Sequence, residues 1–403
     1  MAATLCSDID EVRRPDIVIL GAGIAGLLTA HHFNRHGIRP LIVDRLRLPA
    51  GQTSRRSGEG VRAQWELPHN IEIARASIAF YRNLAEELGR DDASAGYRPV
   101  GYLYGSRQEV GAQLLEARVA RQRAAGLDDV EFLHGEAALR RFPMLAPDTR
   151  GVAFRQSDGV IDVESVLPAL LDSLDADLLL GVEANAISET AGGIALETGR
   201  GRIDAGTLVL ANGARLAPTL RRLTAEFSLS VARATIVRLK VPGIPEDHPA
   251  TIDVDAGSFW RPDTGGARLT ATFRGNLLVE DGTDDPPLDR DYLDAALDSV
   301  GGLVPHWRQA ASRIGDHHMR TGTFAITADG APVIGPLPGY AHILVNGGYG
   351  GHGVMMSPDG ARRLVQSYVS PGTEDPFLPA RFSSGHPIQP EPMTVHLHGT
   401  SQE

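Results

Sequence analysis

The stretch DIVILGAGIAG, residues 16–26, decides the fold of this chain. Residues 17–20 are apolar and mostly β-branched, which is typical of a buried strand, and a glycine-rich turn follows without a gap. The next residues predict a helix over 27–36 that ends at Gly37, and PLIVD, residues 40–44, predicts a second strand. A strand, a helix and a strand in this order form a β-α-β unit.

The spacing of Gly21, Gly23 and Gly26 is that of a dinucleotide-binding turn. The first glycine permits a tight turn, the second lets a pyrophosphate approach the backbone, and the third lets helix and strand pack closely. Free backbone N–H groups at the start of the helix can then hold the phosphates. Asp44 ends the second strand, where a carboxylate can accept hydrogen bonds from a ribose. The unit predicts a dinucleotide cofactor without choosing between NAD and FAD, and an ordinary glycine turn is the alternative.

Composition excludes several classes of protein. Of the 403 residues, 42% are hydrophobic and 22% are charged, which is the range of ordinary globular domains. The net charge of −11 argues against a nucleic-acid partner and against binding to an anionic membrane surface. No apolar run approaches the ~20 residues of a membrane span, and the acidic N-terminal residues do not resemble a signal peptide. We therefore expect a cytoplasmic protein.

The cysteine and histidine patterns predict neither a disulfide nor a metal site. Cys6 is the single cysteine, so an internal disulfide is excluded, and its polar surroundings predict an exposed thiol. The histidine pair at 317–318 lacks the accompanying carboxylates or cysteines that metal sites need.

Long helices are predicted over residues 70–89, 109–125 and 159–174. The second of them carries several arginines at positions that we interpret as a solvated face: Arg118, Arg121 and Arg123. The region 228–320 is predicted to be mostly extended, because turn signals separate its short apolar runs.

Two further glycine-rich segments follow predicted strands. LVLANGA, residues 208–214, leads from a hydrophobic strand into a turn of small residues, and a purely structural turn is the alternative. GGYGGHG, residues 347–353, lies between a strand at 343–345 and a helix at 357–368. A structural loop rarely needs so many glycines, so this junction predicts a second place where the backbone approaches a cofactor.

These motifs together resemble the D-amino-acid oxidase superfamily. The chain is most similar to the branch that contains sarcosine oxidase, glycine oxidase and D-amino-acid dehydrogenases. The resemblance covers about residues 15–370, and it is specific for the fold and for FAD but much less so for the substrate. The motifs that carry it, in order, are GAGIAG with Asp44, SRRSGEGVRAQW at 54–65, GYLYG at 101–105, LVLANGA, TADGAPVIGPLP at 327–338 and GGYGGHGV at 347–354.

The resemblance implies an α+β fold with two domains. A Rossmann-like FAD-binding domain is expected to combine distant pieces of the chain, and an antiparallel-sheet substrate domain is expected to hold the substrate against the flavin. The FAD-binding pieces are residues 1–95, 151–218 and 322–375, the substrate-domain pieces are 96–150 and 219–321, and residues 376–403 form a tail.

The resemblance also implies which residues contact FAD. The loop 53–62 is expected to run along the flavin, and residues 348–355 are expected to wrap its ring with backbone N–H groups that stabilise negative charge on the reduced flavin. The implied FAD-binding residues are Gly21, Gly23, Ile24, Ala25, Gly26, Asp44, Arg45, Thr53, Ser54, Ser57, Gly60, Val61, Arg62, Ala184, Ala211, Asn212, Gly213, Gly348, Gly350, Gly351, His352, Gly353, Val354 and Met355.

Covalent attachment of the flavin is not expected. Sarcosine-oxidase-like members carry a cysteine just before the segment that corresponds to ADGAPVIG, whereas residues 320–324 contain none. Ser54 and Arg55 stand in the early loop in place of a histidine that a flavin could be linked to. We therefore predict non-covalent FAD.

Two departures from the family's pattern concern the substrate carboxylate. Phe324 stands where glycine-oxidase-like members carry an arginine, and Met355 stands where the sarcosine branch carries a lysine. A carboxylate buried without a partner is costly, so another cation or a different kind of substrate is implied. The arginines that could replace the missing anchors are Arg56, Arg62, Arg261, Arg268 and Arg320.

Three residues are candidates for catalysis. Arg268 stands where sarcosine-oxidase-like members carry the lysine that promotes oxygen reduction, although arginine supplies a charge without a transferable proton. A surface position on a strand is the alternative for Arg268. Arg62 is expected near the flavin ring. Tyr349 is expected to line the pocket, as are Tyr102 and Tyr104, with a core role as the alternative.

The resemblance implies oxidation of a C–N bond in an amine, amino acid or imino acid, by hydride transfer to FAD. Oxygen is the expected acceptor and hydrogen peroxide the expected product, with another electron acceptor as the alternative. The missing anchors favour an atypical amine, a large carrier-free intermediate or a cyclic imino acid over glycine or sarcosine. Two other functions stay open: an FAD-dependent 2-hydroxy-acid dehydrogenase, and a flavoprotein that serves assembly or electron transfer with little catalysis.

Overall fold

The computed structural model describes residues 3–6, 15–271 and 277–391. Its strands are β1 Thr4–Leu5, β2 Ile17–Leu20, β3 Leu41–Asp44, β4 Gly60–Val61, β5 Tyr102–Ser106, β6 Val130–His134, β7 Gly151–Arg155, β8 Gly159–Val160, β9 Asp177–Leu180, β10 Ala184–Thr190, β11 Gly193–Thr198, β12 Gly201–Ala205, β13 Thr207–Leu210, β14 Ser230–Lys240, β15 Ala250–Asp253, β16 Ser258–Asp263, β17 Gly266–Ala271, β18 Leu277–Leu278, β19 His317–Ile326, β20 Val333–Pro336 and β21 Ile343–Gly347.

Its α-helices are α1 Ile24–Asn34, α2 Pro68–Arg82, α3 Leu84–Leu88, α4 Glu109–Ala124, α5 Gly135–Arg141, α6 Val163–Ser173, α7 Leu216–Arg222, α8 Tyr292–Leu303, α9 His306–Ala310, α10 Gly353–Val369 and α11 Ala380–Ser383. Short 3₁₀ turns occur at Thr53–Arg56, Gly213–Arg215 and Ala311–Arg313. In the described part of the chain, no helix combines the length and the apolar character that crossing a bilayer requires.

The first sheet is built around β2, whose four residues are all buried. Its strand order is β1-β9-β3-β2-β13-β21-β20, and every pair is parallel except the last. A strand buried on both faces by helices reads as a continuous apolar run, which is the pattern of residues 17–20. The β-α-β unit at the start of the chain is therefore confirmed, with the helix beginning at Ile24.

The second sheet has nine strands in the order β18-β14-β17-β16-β15-β5-β7-β6, with β19 also paired to β14. Its pairs are antiparallel except that of β5 with β15. Helices α8 and α9 cover one face, where Trp260 and Trp307 pack edge to face in the core. The α+β class with a parallel sheet and a largely antiparallel one is as predicted.

The division into two domains stays a prediction, and parts of it lie outside the described residues: 1–2, 7–14, 272–276 and 392–403. The parallel sheet draws its strands from all three pieces assigned to FAD binding. Strand β7, which the predicted boundaries place in the FAD-binding piece 151–218, pairs with β5 and β6 of the nine-stranded sheet.

Two sequence predictions about single side chains are wrong. Cys6 is buried beside the parallel sheet, where its N–H donates to the carbonyl of Leu178, because the preceding residues form an edge strand that the sequence did not reveal. Arg118 is 3% exposed rather than solvated, because the buried side of α4 faces a loop and a strand that lie far away in sequence.

Helix boundaries also differ from the predicted ones. The predicted helix over 70–89 is divided at Asn83 into α2 and α3. The helix predicted over 159–174 begins only at Val163, because residues 159–160 pair with residues 60–61 as a short two-stranded sheet. This pairing connects the loop that follows β3 to the segment that precedes α6.

The tail up to residue 391 packs on the body of the protein. Arg381 donates from Nε to Oδ2 of Asp329 at 2.7 Å and from Nη2 to Oδ1 at 3.1 Å, and both residues are buried. Glu391 accepts hydrogen bonds from the N–H groups of Glu66 and Leu67, next to the start of α2. The tail therefore belongs to the folded structure.

We expect Asp329→Ala to lower the free energy of unfolding by about 3–5 kcal/mol, because it leaves the Arg381 guanidinium buried without its partner. Burial disfavours the charged carboxyl, but the hydrogen bond and charge of Arg381 outweigh it and hold the pKa of Asp329 below its ordinary value. The contribution of this ion pair to the free energy of unfolding is therefore present above about pH 4 and is lost as the pH falls through the lowered pKa of Asp329. Urea unfolding titrations at several pH values measure this contribution.

The matched control is Asp298→Ala, because Asp298 faces Arg308 at 3.5 Å with both side chains largely exposed. An exposed pair of this kind contributes at most about 0.5 kcal/mol. Equal losses for the two variants would contradict a structural role for the tail.

Candidate functional site

A long cleft with a cavity volume of about 220 Å³ runs along the carboxyl ends of the parallel strands. In open sheets of this kind, ligands bind at that edge, at the point where the strand order reverses. The walls come from distant parts of the chain, within residues 20–25, 44–57, 182–184, 211–222, 323–325 and 346–354, together with Asp284.

The glycine turn forms one end of the cleft. Gly21 has a φ of +116°, which a side chain would strain, and a Cβ on Gly26 would overlap the carbonyl oxygen of Gly21. A Cβ on Gly23 would meet only Ser54 Oγ, at 3.6 Å, so the space beside it is open. Gly23 has no side chain that could cap α1, and Ser54 Oγ accepts a hydrogen bond from the N–H of Ile24 at 3.1 Å. A glycine at the helix start with open space beside it fits a bound pyrophosphate.

Asp44 is held across this turn. Its Oδ2 accepts a hydrogen bond from the N–H of Ala22 at 2.6 Å, and its Oδ1 accepts one from Leu46 at 2.8 Å. Burial raises the pKa of the Asp44 carboxyl, against the two backbone hydrogen bonds that favour the charged form. The carboxylate lines the cleft, where its remaining lone pairs can accept from a ribose diol.

The turn after β13 contributes an unused acceptor. The Nδ2 group of Asn212 donates to Thr219 Oγ1 at 3.0 Å, whereas its Oδ1 is buried without a hydrogen-bond partner. Gly213 follows with a φ of +58°. A buried polar atom without a partner, on a residue that lines a cleft, is consistent with a ligand there.

The loop 347–353 forms the opposite wall. Gly348, Gly350 and Gly351 all have positive φ values, between +58° and +89°. Gly350 donates from its N–H to the carbonyl of Ala325 at 3.1 Å, which attaches the loop to the end of β19. These conformations favour glycine, so the sequence pattern reflects backbone geometry.

The residues present therefore fit FAD. Most of the predicted FAD-binding residues line the cleft: Gly21, Gly23, Ile24, Ala25, Asp44, Arg45, Thr53, Ser54, Ser57, Ala184, Ala211, Asn212, Gly213, Gly348, Gly350, Gly351, Gly353 and Val354. Gly26, Gly60, Val61, Arg62, His352 and Met355 do not line it, and their contacts with FAD stay predictions. Gly26 supports the turn without lining the cleft, because its lack of a side chain lets it pack against the carbonyl of Gly21.

Beyond the glycine loop, a half-buried cation lies among aromatic rings. The guanidinium carbon of Arg62 is 4.1 Å from the centre of the Trp65 ring and 5.8 Å from that of Tyr104. His352 packs edge to face on Trp65 at 4.8 Å, with its Nε2 at 3.5 Å from Arg62 Nη2. Burial, reinforced by the charge of Arg62, lowers the pKa of His352 to about 3. The imidazole is therefore neutral at physiological pH.

Arg118 was missed by sequence reasoning. Its guanidinium lies 4.3 Å from the centre of the Tyr104 ring, and its Nη2 donates to the carbonyl of Gln64 at 2.6 Å. The sequence did contain an indication that Arg118 is buried. Leu115, Arg118 and Gln122 are spaced three and four residues apart, which places them on the same face of α4, and this face is buried.

Arg268 lies between two carboxylates. Its Nη1 is 2.8 Å from Glu59 Oε1, and its Nε is 3.2 Å from Asp263 Oδ2. Arg261 donates to the other Glu59 oxygen at 2.5 Å, and Glu59 itself has a φ of +57°. The positive charge of Arg268 is thus already compensated, and its role in oxygen reduction stays a prediction.

Tyr349 lines the cleft, and its hydroxyl is already hydrogen-bonded within the protein. The OH donates to Asn346 Oδ1 at 2.5 Å, and a Cβ on Gly360 would overlap this oxygen. Burial raises the pKa of the phenol far above its ordinary value, so it stays protonated. Its catalytic role stays a prediction as well.

An acidic strap, residues 280–289, contributes Asp284 to the wall of the cleft. Asp284 pairs with Arg45 at 2.6 Å and with Arg215 at 2.9 Å, and all three residues line the cleft. Other acids of the strap pair with arginines of separate elements, namely Arg56 and Arg233. The strap thus joins the end of β3, the turn after β13 and the nine-stranded sheet.

Comparisons with known proteins agree with this geometry. A family model described as DAO, FAD dependent oxidoreductase, matches residues 16–367. The chain is 25% identical to glycine oxidase from Pseudomonas putida, over 85% of this chain and 91% of that protein. It is 31% identical to bovine FAD-dependent oxidoreductase domain-containing protein 1 over 40% of this chain, a match that spans only 35% of the relative. The fold is similar to that of L-proline dehydrogenase from P. horikoshii, with a TM-score of 0.81, 18% identity, and coverage of 93% of this chain and all (100%) of that one.

We expect Gly23→Ala to lose FAD while it keeps the fold, because the added methyl group occupies the open space beside the turn. Gly26→Ala, the matched control, is expected to unfold at a lower temperature, because its methyl group overlaps the Gly21 carbonyl. Bound flavin per chain and the melting temperature of the apoprotein measure the two effects. Full FAD occupancy in Gly23→Ala would contradict the assignment of the turn.

We expect Asp284→Asn to speed FAD release by about threefold to tenfold, because two partly buried ion pairs in the wall of the cleft are weakened together. High salt should reduce the difference between wild type and variant. Flavin fluorescence after dilution into FAD-free buffer measures release. The control is Asp298→Asn, at an exposed pair, and identical release from all three proteins would show that the strap does not retain the cofactor.

Proposed function

We propose, from the premise that the chain belongs to the DAO family of FAD-dependent oxidoreductases, that it oxidises a C–N bond of an amine, amino acid or imino acid. The observation that carries this proposal is the environment of Arg62. Among the described residues, no carboxylate lies within ion-pair distance of this guanidinium, although it is half-buried beside Trp65 and His352. A partly desolvated cation without a counter-ion is suited to an anionic substrate group.

Arg62 replaces the carboxylate anchors that are absent at Phe324 and Met355. Phe324 packs against the loop at Gly351, and Met355 is buried in the core, so neither position offers a charge. A carboxylate that Arg62 holds would lie next to the glycine loop and the aromatic rings of Trp65 and Tyr104. The anchor thus orients the α-carbon of the substrate.

The same charge favours the neutral form of the substrate amine. A nearby cation disfavours an ammonium group and lowers its pKa, and His352 adds no compensating negative charge. A neutral amine has the lone pair that assists departure of a hydride from the adjacent carbon. No general base is required of this chain, because the proton is lost to solvent before the oxidation.

Bound FAD would supply the two-electron chemistry by accepting the hydride equivalent. The substrate then leaves as an imine, which water hydrolyses to a carbonyl compound and an amine or ammonia. The aromatic side chains around Arg62 keep bulk water from the site during oxidation. Oxygen would be the final electron acceptor and hydrogen peroxide the product, and the positive charge of Arg62 would favour the reduction of oxygen nearby.

The test is anaerobic reduction of the FAD-loaded protein by a panel of amines, amino acids, imino acids and 2-hydroxy acids. We expect the amine-type class alone to bleach the visible flavin absorption, and admission of air to restore the absorption with release of hydrogen peroxide. Bleaching by hydroxy acids alone would indicate a 2-hydroxy-acid dehydrogenase. No bleaching by any class would favour an assembly or electron-transfer role, and either result contradicts the proposal.

Arg62→Met should raise the substrate concentration for half-maximal bleaching by about tenfold to a hundredfold, because a charge-assisted hydrogen bond is lost. The rate should rise with pH as the substrate amine loses its proton. His352 is already neutral, so no inflection near pH 6.5 is expected. An inflection there that disappears in His352→Asn would contradict the proposed protonation states. Arg123→Met, on the exposed side of α4, is the control for loss of a positive charge.

A further inference from the structure

The backbone on both sides of Arg62 is held by one short segment of the chain. On the N-terminal side, β4 ends at Val61, which pairs with Gly159 at the start of β8. On the C-terminal side a side chain continues the attachment, because Asp158 Oδ1 accepts a hydrogen bond from the N–H of Ala63 at 2.8 Å. Asp158 is fully buried, at 0% exposure. The peptide bond between Arg62 and Ala63 is therefore fixed by a carboxylate that is shielded from solvent.

Asp158 also holds the next side chain along this segment. Gln64 Nε2 donates to Asp158 Oδ2 at 3.2 Å and to the carbonyl of Tyr102 at 2.9 Å. The carbonyl of Asp158 itself accepts a hydrogen bond from the N–H of Gly101 at 2.9 Å. Ala63 and Gln64 are thus attached, through one aspartate, to the start of β5 in the nine-stranded sheet.

The charge of Asp158 is compensated by Arg155 at the end of β7. Arg155 donates from Nη1 to Asp158 Oδ1 and from Nε to Asp129 Oδ1, the latter at 2.6 Å. Burial raises the pKa of the Asp158 carboxyl, whereas the charge of Arg155 and the hydrogen bond from Ala63 favour its charged form. The carboxylate thereby fixes the backbone beside Arg62 while its charge is taken up by a different arginine.

The position of the Arg62 guanidinium depends on this backbone. An arginine side chain has many rotamers, so holding it in one place costs conformational entropy. The guanidinium carbon lies 4.1 Å from the centre of the Trp65 ring, three residues further along the chain. Ala63 and Gln64 are the two residues between the stacked side chains, and Asp158 binds both. A group that is held in its binding position before the ligand arrives binds more tightly, because less freedom is lost on binding.

We propose that Asp158 is a positioning residue for Arg62, which keeps the guanidinium in place for the carboxylate of the substrate. The inference rests on the proposed function, in which Arg62 is the carboxylate anchor. In this role Asp158 acts through the backbone of Ala63 and the side chain of Gln64, and not by contact with the substrate.

The test is a double-mutant cycle on ligand binding without turnover. Acetate is titrated into the FAD-loaded protein, and the perturbation of the flavin spectrum gives its dissociation constant. We expect Asp158→Asn to raise this constant by about threefold to tenfold, because the amide must turn a donor toward either Arg155 or Gln64. In the Arg62→Met background the same substitution should change the constant by less than about twofold, because the side chain through which Asp158 acts is gone.

Asp129→Asn is the matched control, because it alters the other carboxylate that Arg155 binds and does not touch the contacts of Asp158. It should lower stability in urea but leave acetate binding within about twofold of wild type. If Asp158→Asn fails to fold, Gln64→Met takes its place. This variant removes the hydrogen bonds of Gln64 to Asp158 and Tyr102 without a change of charge, and we expect it to weaken acetate binding in the same direction.

The outcomes separate this inference from the proposed function. Equal effects of Asp158→Asn and Asp129→Asn on acetate binding would overturn the positioning role, since the network would then serve stability alone. An effect of Asp158→Asn that persists undiminished beside Arg62→Met would overturn it as well, and both results leave the anchor standing. Acetate binding that is undetectable in wild type, or unchanged in Arg62→Met, would overturn the anchor itself and the inference with it.

Discussion

The close contact between Gly26 and the carbonyl of Gly21 is the constraint on which the rest of the structure depends. It allows α1 to pack closely against β2, with its first residues at the cleft. The neighbours of β2 are then β3, which ends at Asp44, and β13, whose following turn carries Asn212. One contact without side chains thus places a helix dipole, a carboxylate and a buried amide around the same space.

The segment 53–66 connects this cofactor side with the substrate side. Ser54 accepts a hydrogen bond from the N–H of Ile24 at the glycine turn, and Thr53 donates to the carbonyl of Thr323 on the nine-stranded sheet. Further along, Glu59 is held between two arginines of that sheet, in a backbone conformation that costs energy for a residue with a side chain. The segment is therefore fixed from both sides, and it presents Arg62 between them.

Sequence reasoning found the parts of the site that depend on local geometry. The turn at 21–26 and the loop at 347–353 were predictable because positive φ values and close backbone approaches require glycine whatever surrounds them. The helix period placed Arg118 on one face with Leu115, but its burial was missed, because a charged residue on a helix is normally solvated and its contacts, Tyr104 and Gln64, lie in other segments. The same reason applies to Asp284, since an acidic loop has no local sign that shows which arginines it pairs with.

The position of the two glycine segments has a consequence for biosynthesis. The ribosome delivers the turn at 21–26 early, whereas the loop at 347–353, which forms the opposite wall of the cleft, emerges after more than three hundred further residues. The nascent chain therefore passes through a long stage in which half of the cofactor site exists without the other half. Strand β2 must wait for β13 and then β21 before its sheet is complete. Capture of the cofactor is thus a late event in the life of each molecule, and during that interval the edge of β2 stays without its later partner strands.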